Sequence, residues 1–539
     1  MTDDLREDED GEGGPAPEGA RGASKVIAVG GGRGGVGKSL VAENLAIYLA
    51  QLGKAVVLVD ADPTGANLHA HFGLSAAKVD PATIMEERGA TIERVLVDTL
   101  VPGLRLLPAP LDTIELPAIL RPGRKGRLMG QLRAIPADYL VVDVGPGMAP
   151  FPVDTMLGAD ISVCVTVPEP PAIEATYRFF RAAYRRRLRR SLMRDRFRLP
   201  VIDRAIAEVG MLPAPLDVVR ALERMDKRLA ELAWAEAGRM HMQLVVNQTR
   251  VRTDLELGVW MSELAARHYG VSVDDLGHIE HDDTVWLSVR RHKPLLVDSP
   301  TSKAARNLER IARRVIALLA AHAERAYVPR PLPGDPTLYA TLGIGRASSD
   351  EEIRRAYKRK KEIYVEGGLA VSSLLVDAQL KSEQARLDEA YDTLLDPVRR
   401  RAYDLSTFPD ADPPAEVSAK LPRAAEAEQI LLQSELAREI GPDTEFTGDL
   451  LRKVRESQGA TLAEISAKTK IAKSHLAAIE EERFADLPAA VYVRGFVSEL
   501  AKFLKLDVAQ VQRTYARRMQ RASHAPPTDG DADPRRKGS

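Results

Sequence analysis

Residues 32–39 read Gly-Arg-Gly-Gly-Val-Gly-Lys-Ser, and they decide the fold that we expect for the first half of the chain. An apolar run at 26–29 precedes them, and a segment of helical character begins near residue 38. A loop of this spacing between a strand and a helix is typical of a phosphate site. Its glycines let backbone N–H groups surround phosphate oxygens, and the helix dipole favours the anion. An ordinary glycine-rich turn is the alternative, against which the Lys-Ser pair argues.

Polar side chains of the loop and of two further strands complete the predicted site. Lys38 would neutralise phosphate charge, and the Ser39 hydroxyl would coordinate Mg²⁺. Asp143 follows the apolar run 139–142, a position from which an aspartate reaches magnesium, usually through water. Asp60 and Asp62 end another apolar run, at the strand edge where ligands bind in open α/β sheets. One aspartate there would serve as a helix cap, whereas two at alternate positions favour catalysis.

Continuous apolar runs recur along the first 326 residues, separated by helical segments, at 26–29, 55–59, 139–142, 161–165 and 243–246. Such runs are typical of a parallel sheet that is buried on both faces. The predicted fold class is therefore α/β, with a P-loop domain followed by two small all-α domains. The predicted segments are a disordered acidic tail 1–24, the P-loop domain 25–326, a proline-rich linker 327–336, a helical domain 337–405, a linker with a short helix 406–446, a second helical domain 447–518 and a disordered tail 519–539.

Composition excludes several classes of protein. The 539 residues contain one cysteine, Cys164, so a disulfide framework or a metal cluster held by several thiolates of one chain is excluded. The 76 basic and 77 acidic residues give a net charge of -1, which argues against a protein that coats nucleic acid over its whole surface. No apolar stretch reaches the roughly 18 residues that cross a bilayer. We expect a cytoplasmic protein that is at most peripheral to the inner face of the membrane.

Several motifs together resemble the MinD/ParA superfamily of ATPases, and its FlhG-like branch in particular. They are the loop 34–39, Asp60-Ala61-Asp62-Pro63, Val142-Asp143-Val144-Gly145, Pro168-Glu169-Pro170-Pro171, Val245-Val246-Asn247-Gln248 and Asp282-Asp283-Thr284-Val285-Trp286. The resemblance implies ATP and Mg²⁺ as ligands and a homodimer that forms face to face around two nucleotides. The nucleotide-binding residues would be Gly34, Gly35, Val36, Gly37, Lys38, Ser39, Leu40 and Asn247, and the magnesium residues would be Ser39, Asp143 and Asp62.

Catalytic roles also come from this resemblance. Asp62 would position the attacking water, Lys38 would hold the phosphates, and Asn247 would read the adenine amino edge. The family carries a lysine at the second loop position, where this chain has Arg33. Arginine keeps the charge and adds a planar donor fork, so Arg33 would act on the partner's phosphates with a different geometry. The sequence therefore predicts ATP binding more firmly than it predicts the rate of hydrolysis.

A basic segment lies inside the P-loop domain. Residues 178–198 hold ten arginines and one acidic residue, Asp195. The apolar side chains of Tyr177, Phe180, Tyr184 and Leu188 recur at helical spacing beside them. Such a helix would suit an anionic lipid surface or nucleic-acid phosphate. The alternative is a helix that packs on the sheet and exposes a solvated basic face.

The two helical domains resemble known interaction modules. Residues 338–404 resemble a DnaJ-type J-domain, but Val365-Glu366-Gly367-Gly368-Leu369 stands where that family has His-Pro-Asp, so we expect no conventional stimulation of a chaperone. Residues 449–515 resemble the helix-turn-helix domain of the RodZ family. Glu480, Glu481 and Glu482 end its candidate recognition helix, whose start offers Lys473, Ser474 and His475. Protein docking is therefore favoured over base reading.

Two functions are compatible with these motifs. The first is an ATP-dependent dimerisation switch that controls the position or number of a cellular structure through its helical modules. The second is a transcription regulator whose helix-turn-helix domain binds DNA under the control of ATP.

Overall fold

A computed structural model describes residues 24–62, 65, 67–74, 92–109, 130, 132–193, 195, 197–210, 212–322, 331–408, 424–441 and 444–524. Of the predicted disordered tails, residues 1–23 and 525–539 lie outside the described part, as do residues 323–330 at the start of the predicted linker. The described residues form two compact units, one up to residue 408 and one from residue 424. None of the described helices is both long and apolar enough to cross a lipid bilayer.

The first unit is organised around one sheet. Among the described residues it has eight strands, in the order β3-β4-β2-β5-β1-β6-β7-β8, and only β3 and β4 pair antiparallel. Successive residues of β1 and β5 are buried, so both faces of the sheet are covered, which confirms the predicted α/β fold. The strands are β1 (Lys25–Gly30), β2 (Val56–Ala61), β3 (Val97–Asp98), β4 (Leu104–Leu107), β5 (Tyr139–Val144), β6 (Ile161–Thr166), β7 (His241–Thr249) and β8 (Ser272–Glu280).

Helices surround this sheet, and together with it they form the P-loop domain, which comprises the described residues between 24 and 322. The first of them, α1, follows the loop directly and packs against β1 and β5. They are α1 (Lys38–Gln51), α2 (Leu68–His71), α3 (Pro150–Gly158), α4 (Pro170–Ser191), α5 (Leu199–Val209), α6 (Pro215–Met225), α7 (Lys227–Gly238), α8 (Arg252–Leu264), α9 (Asp283–Arg290), α10 (Leu295–Asp298) and α11 (Lys303–His322). A π-helical turn at 265–269 continues α8.

The basic segment 178–198 corrects a prediction. Its apolar stripe lies on α4 and faces the core of the first unit, since Tyr177, Phe180, Tyr184 and Leu188 are each 1% exposed or less. Its arginines pair with acids of other helices, namely Arg186 and Arg190 with Asp154, Arg187 with Glu236, and Arg189 with Asp203. Arg194 and Arg196 lie outside the described residues. The stripe is not available to a lipid surface, so the apolar side of this helix packs as the alternative predicted. Contact of its basic face with nucleic-acid phosphate stays a prediction.

Residues 331–408 form a set of helices that we call the helical module. Its two long helices pack side by side through the stacked rings of Tyr357 and Tyr391, whose centroids are 4.1 Å apart. Its buried side chains are continuous with the core of the P-loop domain. The likeness to a J-domain stays a prediction. The helices are α12 (Leu338–Leu342), α13 (Asp350–Ile363), α14 (Leu369–Ser372), α15 (Asp377–Leu395) and α16 (Pro397–Thr407).

The second unit is all helical. Its helices α19 and α20 are joined by residues 470–472, where Lys470 has a φ of 59°, and they form a helix-turn-helix. The short helix predicted inside a linker is α17, which packs on α18 through the Gln433 amide and the Ser457 carbonyl, 3.0 Å apart. The last helix ends at His524, so residues 519–524 are helical and not part of a disordered tail. The helices are α17 (Ala424–Glu439), α18 (Gly448–Ser457), α19 (Leu462–Thr469), α20 (Lys473–Glu480), α21 (Ala490–Phe503) and α22 (Val508–His524).

We expect Phe180→Ala to lower the free energy of unfolding of the first unit by about 3–5 kcal/mol, because it removes a fully buried ring from the core. Arg178→Ala, on the exposed side of the same helix, is the matched control and should change it by less than about 0.5 kcal/mol. Urea denaturation followed by tryptophan fluorescence measures both, since all three tryptophans lie in this unit. Equally small effects of the two substitutions would show that the stripe is not core.

Candidate functional site

The loop between β1 and α1 is built on close contacts of its glycines. Gly35 and Gly37 have φ values of 76° and 91°, a region that favours glycine. A Cβ atom on Gly32 would lie 2.1 Å from the carbonyl oxygen of Ala175, at the start of α4. A Cβ atom on Gly37 would lie 2.2 Å from Nδ2 of Asn247, at the end of β7. The predicted loop therefore requires glycine at 32 and 37 for steric reasons, and at 35 and 37 for conformational ones.

Both cations of the loop have partners within the protein. Lys38 is 7% exposed, and its Nζ donates a hydrogen bond to the carbonyl oxygen of Arg33 at 3.0 Å. Burial lowers the pKa of Lys38, and nearby Asp143 and Asp62 oppose this shift. The Arg33 guanidinium pairs with Glu169 at 2.8 Å, where both side chains are about half exposed. Lys38 therefore lies inside the site, and Arg33 lies at its surface.

Asp143 and Ser39 meet at the carboxyl end of β5. Asp143 is 2% exposed, and the Ser39 hydroxyl donates a hydrogen bond to its carboxylate. Burial raises the pKa of Asp143 to about 7, with a smaller contribution from the charge of Asp60. A carboxylate and a hydroxyl at one point are oxygen ligands of the kind that Mg²⁺ takes in proteins. These two residues fit the predicted magnesium site, because a cation there would stabilise the charge that burial disfavours.

The two aspartates after β2 have different surroundings. Asp60 is buried and accepts hydrogen bonds from the first backbone N–H groups of α2 and of the residue before it, at 3.2 and 3.1 Å. Burial raises its pKa to about 6. Asp62 is half-buried, accepts a hydrogen bond from Gly65 N at 3.1 Å and contacts Gly145 after β5. The cap that the sequence left open as an alternative is therefore Asp60, while Asp62 lies close enough to Lys38 for its charge to oppose the lowering of the pKa of that amine by burial.

Asn247 lies beneath the loop. It is 3% exposed, its Nδ2 donates to the carbonyl oxygen of Val36 at 2.9 Å, and its Oδ1 accepts from Gln248 N at 2.9 Å. The structure thus brings Asn247 to the predicted site. Its role toward adenine stays a prediction, which requires the amide to exchange one of these partners for the base.

Two side-chain contacts, one of the loop and one of α1, were not predicted from the sequence. Glu169 was identified only as part of a motif, although it is the partner of Arg33. Glu43 is 1% exposed in α1 and pairs with His71 Nδ1 at 2.6 Å. Burial opposes the charge on His71, but the hydrogen bond and charge of Glu43 outweigh it, so the pKa of His71 is raised. A glutamate within the apolar stretch 40–50 was the available signal for this pair.

Comparison with known proteins follows the same division of the chain. Residues 22–186 match the ParA family model, described as NUBPL iron-transfer P-loop NTPase, and residues 450–511 match a family model described as a helix-turn-helix domain. Similar proteins include the septum site-determining protein MinD of Synechocystis sp., the flagellum site-determining protein YlxH of Helicobacter pylori and the antiactivator FleN of Pseudomonas aeruginosa, at 34, 32 and 35% identity. The alignments cover 28, 29 and 28% of this chain and 56, 53 and 54% of the relatives. The chain therefore spans about half the length of the curated relatives it matches.

The fold and the site define a P-loop NTPase domain. Residues 22–186 of this domain resemble the ParA/MinD family, and residues 450–511 match the model of a helix-turn-helix domain. The family description names iron transfer, but this chain has no pair of cysteines that could supply two thiolates. Its single cysteine, Cys164, is fully buried in β6, where burial raises the pKa of the thiol to about 12.

We expect the free energy of unfolding of Asp143→Asn, relative to that of the wild type, to increase as the pH rises from 5 to 8. The folded wild type keeps a proton on Asp143 up to a pKa of about 7, whereas the unfolded chain releases it near the usual 3.8. The folded state binds more protons in this window, so this group lowers stability as the pH rises, and asparagine removes the effect. Urea denaturation at pH 5 and 8 measures the difference.

Asp195→Asn is the matched control for this measurement, because Asp195 is a surface carboxylate that is 41% exposed. Its difference from the wild type should not grow between the two pH values. A difference for Asp143→Asn that is the same at pH 5 and pH 8 would contradict the assignment of a raised pKa to this carboxyl group.

Proposed function

We propose that the chain is an ATP-dependent dimerisation switch, which hydrolyses ATP slowly and regulates the position or number of a cellular structure through its helical parts. One observation carries the proposal, namely that Lys38 and Ser39 of the glycine loop converge with the buried Asp143 of the adjacent strand. Two similar proteins are named for determining a septum site and a flagellum site, which supports the positioning role.

Each residue has a task in this proposal. The backbone of residues 34–37 and the Lys38 amine bind the phosphates, for which Lys38 has to leave the carbonyl oxygen of Arg33. Ser39 and Asp143 would hold Mg²⁺, which would supply charge neutralisation on the phosphates. Asp62 orients the attacking water. Arg33 reaches the nucleotide of the partner in the dimer only after it releases Glu169, which is consistent with slow hydrolysis.

Sedimentation with ATP and Mg²⁺ tests this switch. We expect the wild type to dimerise, and Lys38→Ala to stay monomeric because it loses the amine that binds phosphate. Asp62→Ala should bind ATP and remain dimeric, with hydrolysis at least about tenfold slower, because general-base and orienting groups contribute roughly 10²- to 10⁴-fold. Identical sedimentation of all three proteins with and without ATP would exclude the switch.

A second candidate function is ATP-regulated DNA binding through the helix-turn-helix domain. The three glutamates that argued against it are all paired inside their own unit, because Glu480 pairs with Arg455, Glu482 with Arg518, and Glu481 with Arg483. They therefore present less negative charge than the sequence suggests. Lys473 and Ser474 at the start of α20 are exposed, while the His475 ring stacks on Phe496.

Fluorescence anisotropy of the full chain on duplex DNA at physiological salt separates the two functions. We expect only non-specific binding, with a Kd of about 1 μM or weaker, because α20 offers few groups that read base edges. Sequence-selective binding tighter than about 100 nM, weakened at least about tenfold by Lys473→Glu and not by Arg521→Glu on α22, would instead establish the DNA-binding function.

A further inference from the structure

Helix α4 contacts the phosphate loop and the helical module within one turn. Its second turn packs against the loop through the carbonyl group of Ala175, which leaves no room for a side chain at Gly32. Two residues further on, the buried Tyr177 hydroxyl donates a hydrogen bond to the carbonyl oxygen of Ala370, in α14 of the helical module, at 2.9 Å. A helical turn is rigid, so a displacement of Ala175 also displaces Tyr177.

The helical module is docked on the P-loop domain by further contacts that are largely buried. Arg267 Nε donates to Glu383 at 3.1 Å, and both side chains are only 15% exposed. Burial lowers the pKa of His268 to about 4, so its ring is neutral at physiological pH, and its Nε2 lies 3.0 Å from the Tyr364 hydroxyl. Ion pairs of this burial are more sensitive to loss of one partner than exposed ones. A third pair joins Lys360 of α13 to Glu263 of α8.

The end of the module that meets α4 and α8 is the one next to residues 365–369. Ala370 and Val371, directly after this segment, are each 1% exposed, and Tyr364 before it is 2% exposed. This end of the module is therefore covered by the chain's own P-loop domain. The surface that covers this end of the module therefore belongs to the same compact unit.

We expect phosphate binding to rearrange the loop. In this structure the Lys38 amine is bound to the carbonyl oxygen of Arg33, the residue after Gly32. A phosphate competes for the amine as a charged acceptor, so the carbonyl of Arg33 loses its partner and the peptide between 32 and 34 can rearrange. Because Gly32 contacts Ala175 without a side chain between them, this rearrangement acts on the second turn of α4.

We propose that the helical module is an intramolecular ligand of the P-loop domain, and that its docking is coupled to nucleotide binding through the turn of α4 that holds Ala175 and Tyr177. The coupling rests on the proposed function, in that the loop has to bind nucleotide. Nucleotide fixes the loop and the turn that packs on it, and it thereby tightens the docking of α14. Coupling between two sites is reciprocal, so release of the module weakens nucleotide binding by the same factor.

Charge reversal at the docking contact tests the coupling in the full chain. Binding of a fluorescent ATP analogue with Mg²⁺ should weaken at least about fivefold in Arg267→Glu and in Glu383→Arg, and the double reversal should restore it to within about twofold. Tyr177→Phe, which keeps the ring in the core, should weaken it by about twofold or more. Arg355→Glu, in an exposed pair on α13, is the matched control and should bind as the wild type does.

Hydrogen exchange supplies the second readout. Amides of residues 369–386 should exchange more slowly when the ATP analogue is added to the wild type, and faster than in the wild type in both single reversals. Single reversals that release the module and still bind the analogue normally would overturn the coupling and leave the switch intact. Failure of the double reversal to restore affinity would overturn the role of this pair. If the wild type binds the analogue no better than Lys38→Ala does, the proposed function fails and the coupling fails with it.

Discussion

The contact between Gly32 and the carbonyl group of Ala175 is the constraint on which the first unit depends. A missing Cβ atom lets the phosphate loop lie directly on the second turn of α4, at the carbonyl group of Ala175. The same helix buries its large apolar side chains and pairs arginines with three neighbouring helices. The buried side chains of α4 and of the helical module belong to one continuous core, and the loop contacts the backbone of α4 beside it.

The site holds more buried charge than its own contacts stabilise. Burial raises the pKa of Asp143 and of Asp60 and lowers that of Lys38, so each group is less easily ionised than in water. In the proposed function, a triphosphate would bring negative charge and a divalent cation positive charge into this cluster, and both would favour the ionised forms. Ligand binding of this kind stabilises the folded state more as the affinity increases. Nucleotide and cation together would therefore stabilise the charged forms of these three groups.

The sequence allowed prediction of those parts of the fold that depend on local pattern. The five apolar runs from 26–29 to 243–246 became central strands, because β-branched residues and burial on both faces act together there. Strand β8 was missed, since Asp274, Asp275 and Gly277 interrupt its pattern at the edge of the sheet. In the site, the residues of the loop and Asp143 were predictable from spacing. The sequence could not show that Asp60 and not Asp62 caps α2, because this depends on which carboxylate accepts the first N–H groups of that helix.

Charge was the property that the sequence predicted least well, and for one physical reason. The arginines of α4 and the glutamates 480–482 at the end of α20 each form a run of one sign along the chain. Several of their partners come from other elements, such as Asp203 for Arg189, Glu236 for Arg187 and Arg455 for Glu480. A run of like charges on a helix is stabilised by the opposite charges of the elements that pack beside it. A count of charges along the sequence does not include these partners. The charge that a lipid, a phosphate or a protein partner meets is what remains after these pairs are subtracted. For α4 the pairs reduce the positive charge that a phosphate or a lipid surface would meet, and at the end of α20 they reduce the negative charge in the unit that exposes Lys473.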